Sequence, residues 1–322
     1  MSVIEKVLEH SSNLPKKIAI YDGSLAVTYL EFAHQIKLAA QKLKKEKIRA
    51  GDIVLLTSAN NFSFICLYFA VHLSGAVVVI FPEDGVKVDK DKVTNKLSPK
   101  LHIDNADTFF KSLVQESPSV SLEFHCPDDS SIADLLLTSG TTGEPKCVPF
   151  RHDQLEKATN QINLHLRNTS SDVELLLMPL SHSFGMARMR CTFYAGGALV
   201  LGCSLKRLKS VFAAIESFNV TGRGLVPAAW RFISQISRGK GKEIAPQLNY
   251  IEFGSAHLST EEKQQMVNWL PDTHLAMHYG STEVSRALYT YFHVDDLSAV
   301  GNLERGAEVK IVDQASTTLA NG

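Results

Sequence analysis

The segment that most restricts the fold is Phe62–Pro82, FSFICLYFAVHLSGAVVVIFP, which contains no Asp, Glu, Lys or Arg. It is long enough in principle to cross a bilayer. Ser74 and Gly75 divide it into two halves, because a serine followed by glycine interrupts regular structure. The first half has apolar residues at helical spacing on one face, namely Phe62, Ile65, Cys66, Phe69 and Leu73. The second half, AVVVIF, is β-branched, so the segment predicts a buried helix followed by a buried strand and no membrane span.

The preceding residues extend this alternation of helices and strands. Thr28 and Glu31 have the capping-box spacing and open a predicted helix with apolar residues at helical intervals. The run DIVLLT then predicts a strand, so the order is helix, strand, helix, strand. Parallel strands joined by crossover helices produce this order, and the sequence therefore predicts an α/β fold.

Similar patterns continue towards the C-terminal end. The segments DVELLLMPL, GGALVLG and YIEFGSA predict strands, and SLKRLKSVFAAIESFN and STEEKQQMVNWL predict helices. These elements indicate a second α/β layer. Residues 84–130 are polar and weakly patterned, which predicts short elements and surface loops. The last segment, EVKIVDQASTTLANG, predicts a strand that leads into the turn of a hairpin.

Composition excludes some classes of partner. The 322 residues suffice for a large α/β unit or for two domains. Basic residues number 33 and acidic residues 34, and no basic stripe is present, so no nucleic-acid partner is expected. The five cysteines are odd in number and never form CxxC pairs, and the N-terminus has no secretory signal. These features predict a cytoplasmic protein without structural zinc.

The segment LTSGTTGEPKCV, residues 137–148, has the chemistry of an anion-binding loop. Gly140 and Gly143 allow the backbone N–H groups to converge on anionic oxygens. Hydroxyl donors are added by Ser139, Thr141 and Thr142, and Lys146 adds a positive charge. The strand ADLLLTSG precedes the loop and the helix HDQLEKATNQINLHL follows it, which predicts a strand, loop and helix arrangement typical of phosphate sites. The loop matches neither the Walker nor the dinucleotide fingerprint, and taken alone it could also be a solvated polar turn.

Other segments indicate a family. TSGTTGEPK resembles the phosphate-loop signature of the adenylate-forming superfamily, which includes acyl-CoA synthetases, nonribosomal peptide synthetase adenylation domains and firefly luciferase. Five further segments resemble landmarks of that family in the same order: MPLSHSFGM, FNVTGRGLVPAAW, LNYIEFGSAHLS, YGSTE and VGNLERGAEVKIVD. The resemblance therefore covers most of the chain.

The resemblance implies a role for each matching residue. The β- and γ-phosphates of ATP would be held by Ser139, Gly140, Thr141, Thr142, Gly143 and Lys146. Small residues would form the wall of the adenine pocket, namely Gly254, Ser255 and Ala256. Tyr279 would stack on adenine, with Gly280 and Ser281 completing that segment. Thr282 would bond phosphate and Glu283 would hold Mg²⁺. His182 would orient the reacting carboxylate, and the resemblance implies catalytic roles for His182, Lys146 and Thr282.

Some positions depart from the family pattern. Cys147 replaces the glycine that usually follows the loop lysine, which affects the exit of the loop. Phe253, Ser255 and His257 differ from the usual Ser-Gly-Gly-Ala-Pro pattern, so an adenine wall and an acyl pocket of altered shape are expected. The run NLERG replaces the usual Pro-Gly turn.

By this resemblance, the fold is the large N-terminal core of an adenylate-forming enzyme. Residues 1–50 and 164–290 are expected to form one α/β subdomain, and residues 51–163 a second, interleaved subdomain that carries the phosphate loop. Residues 291–322 are expected to begin a β-rich third subdomain. The family's ribose-binding aspartate, hinge and C-terminal domain with a catalytic lysine lie beyond this sequence, as expected for a fragment of a longer enzyme or for a natural truncation.

The implied function is an acid–thiol ligase that activates a carboxylic acid with ATP and Mg²⁺ to an acyl-adenylate and pyrophosphate. The acyl group would then pass to coenzyme A. Two alternatives stay open at this point: an adenylation enzyme that loads an acyl carrier protein, and a non-catalytic nucleotide- or acyl-binding module. Without the missing lysine, the chain alone is expected to be weakly active or inactive.

Overall fold

A computed structural model describes residues 1–83, 89–112, 124, 126–139, 145–236, 245–303, 307–313 and 317–319. The strands are β1 Ile18–Asp22, β2 Leu25–Thr28, β3 Ile53–Thr57, β4 Val77–Phe81, β5 Leu101–Ile103, β6 Ile132–Ser139, β7 Pro145–Arg151, β8 Val173–Leu175, β9 Ala198–Leu201, β10 Gly222–Leu225, β11 Tyr250–Phe253, β12 His274–Tyr279, β13 Leu288–Tyr291 and β14 Asn302–Leu303. The helices are α1 Val3–Asn13, α2 Tyr29–Lys45, α3 Phe62–Leu73, α4 Lys90–Leu97, α5 Ala106–Lys111, α6 His152–Leu166, α7 Ser183–Ala195, α8 Leu208–Ser217, α9 Pro227–Ile236 and α10 Thr260–Trp269. Short 3-10 turns lie at Leu205–Arg207 and Ala245–Gln247.

The smaller sheet has the order β5-β3-β4-β6-β7. Its first four strands are parallel, as predicted, and β7 pairs antiparallel with β6. Helix α3 packs against this sheet and is buried from Ser63 to Leu73, so the uncharged segment forms core on all sides rather than on one face. The helix ends at Leu73 with Ser74 as its C-cap, and Gly75 reverses the chain with a φ of +69° before β4 begins. The predicted buried helix and buried strand are confirmed.

The larger sheet has the order β14-β13-β12-β11-β10-β8-β9-β1-β2. Strands β8 to β12 run parallel to their neighbours within this group, and β1 continues the parallel arrangement beside β9. The hairpin of β1 and β2 therefore joins a sheet whose other strands all follow Asp172 in the sequence. The fold is mixed α/β with two sheets, as predicted. The exact subdomain boundaries given above stay a prediction.

Helix α7 is buried from Phe184 to Phe193, although it was not predicted. Its sequence has no apolar stripe, because Arg188 and Arg190 are buried together with the apolar residues around them. Apolar residues at helical spacing in a sequence indicate a helix that has one face buried and the other exposed to solvent. A helix that is surrounded by protein lacks that signal.

Two further expectations can be compared with the structure. The strand predicted at EVKIVD is reduced, within the described residues, to one antiparallel bridge between Val312 and Thr318. Residues 84–130 hold only the short elements α4, β5 and α5 in their described part, as expected. In the portion of the chain that the structure describes, none of the helices is both long and apolar enough to span a membrane.

Candidate functional site

The glycine-rich segment connects strands β6 and β7, which pair antiparallel. Ser139 is the last residue of β6 and pairs with Pro145, and Lys146 pairs with Thr138. The predicted ligands Gly140, Thr141, Thr142 and Gly143 lie outside the described residues. Lys146 is exposed on β7, close to the loop.

The expected strand, loop and helix arrangement is wrong in one respect. An antiparallel strand, β7, separates the loop from helix α6, which begins only at His152. The N-terminus of α6 therefore does not adjoin the loop in sequence and does not supply the anion-binding helix end that was expected. Cys147 pairs with Leu137 in regular ladder geometry, so the cysteine is accommodated as an ordinary strand residue at the loop exit.

A turn between β12 and β13 carries the second group of predicted residues. Tyr279 ends β12 with 60% of its surface exposed, which leaves the aromatic ring available to a ligand. A Cβ atom on Gly280 would overlap the carbonyl oxygen of Ser285, so only glycine fits this tight turn. Ser281 is exposed and Thr282 is half-buried in the same turn.

Glu283 connects this turn electrostatically to the loop hairpin. The pKa of Glu283 is lowered by hydrogen bonds from its own backbone N–H and from Ser281, and also by the positive charge of Lys146. Glu283 is exposed, and its lowered pKa means that the carboxylate is ionised at neutral pH and open to a cation. Two predicted ligands that are far apart in sequence, Lys146 and Glu283, thus lie within electrostatic reach of each other.

A cavity of about 350 Å³ lies beside the turn. It brings together residues from two predicted segments, because it is lined by Ser255 and Ala256 after β11 and by Tyr279 and Gly280 after β12. The remaining lining residues are His257, Leu258, Lys263, Met277, His278, Ser298, Ala299 and Val300. Its volume falls in the range of small-molecule sites. The C-terminal ends of adjacent parallel strands, β11 and β12, form one of its edges, which is where open α/β sheets bind ligands.

Two backbone features shape the wall of this cavity. A Cβ atom on Gly254 would overlap the imidazole ring of His278, so the glycine allows that ring to lie against the main chain. Ser255 has a φ of +71°, a left-handed conformation that is unfavourable for a residue with a side chain. The departure from glycine at this position therefore places a strained residue in the cavity wall.

A buried ionic network lies behind the wall. Arg286 Nε donates to Glu252 Oε1 at 3.1 Å, Arg188 Nη1 donates to Glu252 Oε2 at 3.3 Å, and His278 Nδ1 lies 2.7 Å from Glu252 Oε1. Arg188 Nε also donates to Glu174 Oε1 at 2.8 Å. Burial opposes ionisation of Glu252, but Arg286, His278 and Arg188 together hold its pKa well below the usual value.

None of these network residues was predicted from the sequence. The available signal was an acidic residue inside an apolar strand, since Glu252 lies between Ile251 and Phe253 in the predicted strand YIEFGSA. A buried carboxylate requires a partner. The sequence alone does not reveal that the partners lie on α7 and after β12.

His182 directly precedes α7, and its side chain is exposed. Two residues later, the Phe184 ring contacts the His278 ring edge-on, with 4.9 Å between their centroids. The start of α7 therefore adjoins the cavity wall. The orienting role of His182 stays a prediction.

Comparisons with known proteins identify a family for the chain. A family model described as AMP-binding enzyme matches residues 7–322. Nonribosomal peptide synthetase GRA1 of Gibberella zeae is 25% identical over 313 residues, covering 93% of this chain and 4% of the relative. The 4-coumarate–CoA ligase-like 6 of Arabidopsis thaliana is 24% identical, covering 84% of this chain and 54% of the relative. The 2-succinylbenzoate–CoA ligase of Oceanobacillus iheyensis is 26% identical, covering 89% and 61%. The chain thus spans between about half and three-fifths of these two ligases.

Solved structures share the fold. The N-terminal subdomain of Klebsiella oxytoca NpsA in complex with 3-hydroxybenzoyl-AMSN matches with a TM-score of 0.82 and 19% identity, covering 100% of this chain and 85% of that chain. MatB from Rhodopseudomonas palustris matches with a TM-score of 0.83 and 18% identity, covering 100% and 68%.

Proposed function

Because the chain belongs to the AMP-binding enzyme family, we propose that it is the nucleotide-binding core of an acid–thiol ligase. The enzyme activates a carboxylic acid with ATP to an acyl-adenylate and pyrophosphate, and then transfers the acyl group to coenzyme A. The observation that carries the proposal is the cavity at the C-terminal ends of β11 and β12, where Ser255 and Ala256 from one family segment meet Tyr279 from another.

Each part of the site suits one part of ATP. The exposed ring of Tyr279 provides a stacking surface for adenine, and Ser255 and Ala256 line the space beside it. Gly254 lets the His278 ring, which lines the same space, lie against the main chain. In this proposal the residues from Ser139 to Lys146 hold the β- and γ-phosphates, and Lys146 contributes a positive charge. Thr282 supplies a hydroxyl on the intervening turn.

Adenylation requires positioning and charge stabilisation more than covalent participation by the protein. An oxygen of the acid's carboxylate attacks the α-phosphorus, and the bond from that phosphorus to the bridging oxygen breaks. Pyrophosphate leaves with the bonding electrons. Lys146 stabilises the charge that develops on this leaving group, and His182 orients the attacking carboxylate. A thiol then attacks the acyl carbonyl, losing its proton, and AMP departs.

The residues present fit Mg²⁺ bound together with ATP. Within the described ranges, no cluster of three or more His, Cys, Asp and Glu side chains is suited to holding a metal by itself. Mg²⁺ commonly uses one or two carboxylates plus substrate phosphates. Glu283 is an exposed, ionised carboxylate near Lys146 and provides such a ligand. The ion would neutralise phosphate charge.

Two alternatives differ from this proposal in the acceptor or in activity. The relatives include CoA ligases and a nonribosomal peptide synthetase, so an acyl carrier protein is the competing acceptor for the same adenylate. A non-catalytic module would bind the nucleotide and perform no chemistry.

The first test is nucleotide binding by the chain, measured by calorimetry with ATP and Mg²⁺. We expect binding that Tyr279→Ala weakens about tenfold, since base–aromatic stacking contributes about 1–3 kcal/mol. Phe232→Ala removes another exposed ring, on α9, and serves as the matched control. Absence of ATP binding by the unmodified chain would contradict the proposal.

The second test is ATP–pyrophosphate exchange by the full-length enzyme with a panel of carboxylic acids. Exchange that depends on one class of acid supports adenylation. AMP release is then compared after addition of coenzyme A or a carrier protein, which identifies the acceptor. Binding without exchange for any acid would favour the non-catalytic module.

A further inference from the structure

Two buried arginines on α7 point to different sheets. Arg188 and Arg190 are two positions apart, so their side chains leave the helix in nearly opposite directions. Their exposed fractions are 0% and 6%. Each forms ion pairs with a carboxylate on a different sheet.

Arg190 pairs with the smaller sheet. Its Nη1 donates to Asp134 Oδ2 at 3.1 Å and to the Tyr68 hydroxyl at 3.2 Å. Asp134 is completely buried on β6 and also contacts His72 Nε2 at 2.8 Å. The same strand ends at Ser139, where the phosphate loop begins.

Arg188 pairs with the larger sheet. Besides its bonds to Glu174 and Glu252, its Nη2 donates to the Tyr250 hydroxyl at 3.0 Å. Glu252 lies on β11, two residues before Gly254 of the adenine wall. Through Arg286, Glu252 is also bonded to the segment that follows Glu283.

Helix α7 therefore links the strand that carries the phosphate loop to the strand that carries the adenine wall. The two halves of the candidate site lie on separate sheets. One ATP molecule can contact both halves only when their separation matches the distance from adenine to the terminal phosphates. A mismatch removes the benefit of binding two linked groups at once.

We propose that Arg188 and Arg190 are positioning residues that set the separation of the phosphate loop and the adenine wall. The proposal rests on the nucleotide site proposed above. Buried ion pairs add little stability compared with apolar residues of similar volume. Their strict geometric demands instead suit a role in holding α7 at one position relative to both sheets.

The test compares the dissociation constants of AMP and ATP, each with Mg²⁺, by calorimetry. The ratio of the AMP dissociation constant to the ATP dissociation constant measures how much the phosphate loop adds to binding at the adenine wall. A larger ratio means a larger contribution from the loop. Partial unfolding lowers the apparent affinity for both nucleotides equally and leaves the ratio unchanged. This readout therefore separates positioning from stability.

The central variant is Asp134→Asn with Arg190→Met, which removes both charges of the pair and keeps an amide as hydrogen-bond partner for His72. We expect the ratio to fall about tenfold, because a changed separation removes part of the gain from binding two linked groups at once. The corresponding pair on the other side, Arg188→Met with Glu174→Gln, should also lower the ratio, because it releases α7 from the sheet that carries the adenine wall. Arg190→Lys keeps the positive charge and should retain most of the ratio.

Phe193→Leu is the matched control, since Phe193 is buried on α7 and makes no ion pair. It should lower stability and leave the ratio unchanged. An unchanged ratio in the Asp134 and Arg190 variant, with an ATP preference in the unmodified chain, overturns the positioning role. An unmodified chain that binds both nucleotides without preferring ATP also overturns it. Failure of the unmodified chain to bind either nucleotide overturns the proposed function itself.

Discussion

The substitution Gly254→Ala tests most directly how the cavity wall is packed. The new methyl group would overlap the His278 ring, and even Nδ1 of that ring would lie only 2.9 Å from the added carbon. Ordinary contacts between such atoms are about 3.5–4.0 Å. The ring must therefore move, because the backbone at Gly254 is held between β11 and the cavity.

The His278 ring has little freedom to move. Its Nδ1 lies 2.7 Å from Glu252, and the Phe184 ring packs against it at 4.9 Å between centroids. Overpacking of this kind typically costs about 1–3 kcal/mol of stability. Displacement of His278 into the cavity would also narrow the space beside Tyr279, since His278 lines that space. We therefore expect the free energy of unfolding to fall by about 2 kcal/mol and nucleotide affinity to fall about tenfold.

Urea unfolding and calorimetric titration with AMP measure the two effects. The double variant Gly254→Ala with His278→Ala restores the space and should recover most of the lost affinity. Gly23→Ala is the control, because its added methyl would meet nothing within 4 Å and the residue lies in the distant β1–β2 turn. It should cost stability through its φ of +60° and leave AMP affinity unchanged. Unchanged stability and affinity in Gly254→Ala would refute this account of the wall.

Three other predictions concern charge. Lys146→Ala should weaken ATP binding about tenfold and leave AMP binding nearly unchanged, because AMP lacks the β- and γ-phosphates. Calorimetric titration measures both affinities, with Lys157→Ala as the control. An equal loss of affinity for both nucleotides would contradict this prediction. Burial lowers the pKa of His152 to about 3, so the unfolded chain takes up a proton below about pH 6.5 that the folded chain does not. The free energy of unfolding should then decrease by up to about 1.4 kcal/mol per pH unit as the pH falls below 6.5. In urea unfolding of His152→Phe, the free energy of unfolding should depend less steeply on pH than in the unmodified chain, at pH values above ~4.5. Arg223 is buried, and its Nε and Nη1 have no hydrogen-bond partner within the described part of the chain. Arg223→Met should therefore raise the free energy of unfolding by about 1–3 kcal/mol, whereas Arg207→Met at the surface should not; a loss of stability in Arg223→Met would show that the guanidinium is compensated.

Local patterns predicted most of the elements around the site. The capping boxes at Thr28 and Ser259 each open a helix, because these side chains bond to backbone N–H groups within one turn. The parallel strands β3, β4 and β6 were likewise apparent as apolar runs separated by helical or loop segments. Such signals depend on neighbours in sequence.

Other features were missed because their cause is not local. Strand β7 is stabilised by its pairing with β6. Buried and exposed residues alternate only weakly along β7, so its sequence does not show the pattern of a strand. Helix α7 has no solvent-exposed face, and its sequence therefore lacks an apolar stripe at helical spacing. Glu252 and Asp134 were visible as acidic residues within apolar strands, but their arginine partners come from a helix that follows one strand and precedes the other.

The sequence by itself determined the α/β class and the family resemblance, and it predicted which residues contact a nucleotide, because these depend on residue type, order and spacing. The tertiary structure decided how those residues are assembled. It placed Lys146 within electrostatic reach of Glu283 and set Ser255 and Tyr279 around one cavity. It also revealed that a buried helix joins the two sheets through ion pairs. Contacts between residues far apart in sequence depend on the packing of whole elements, which no local pattern records.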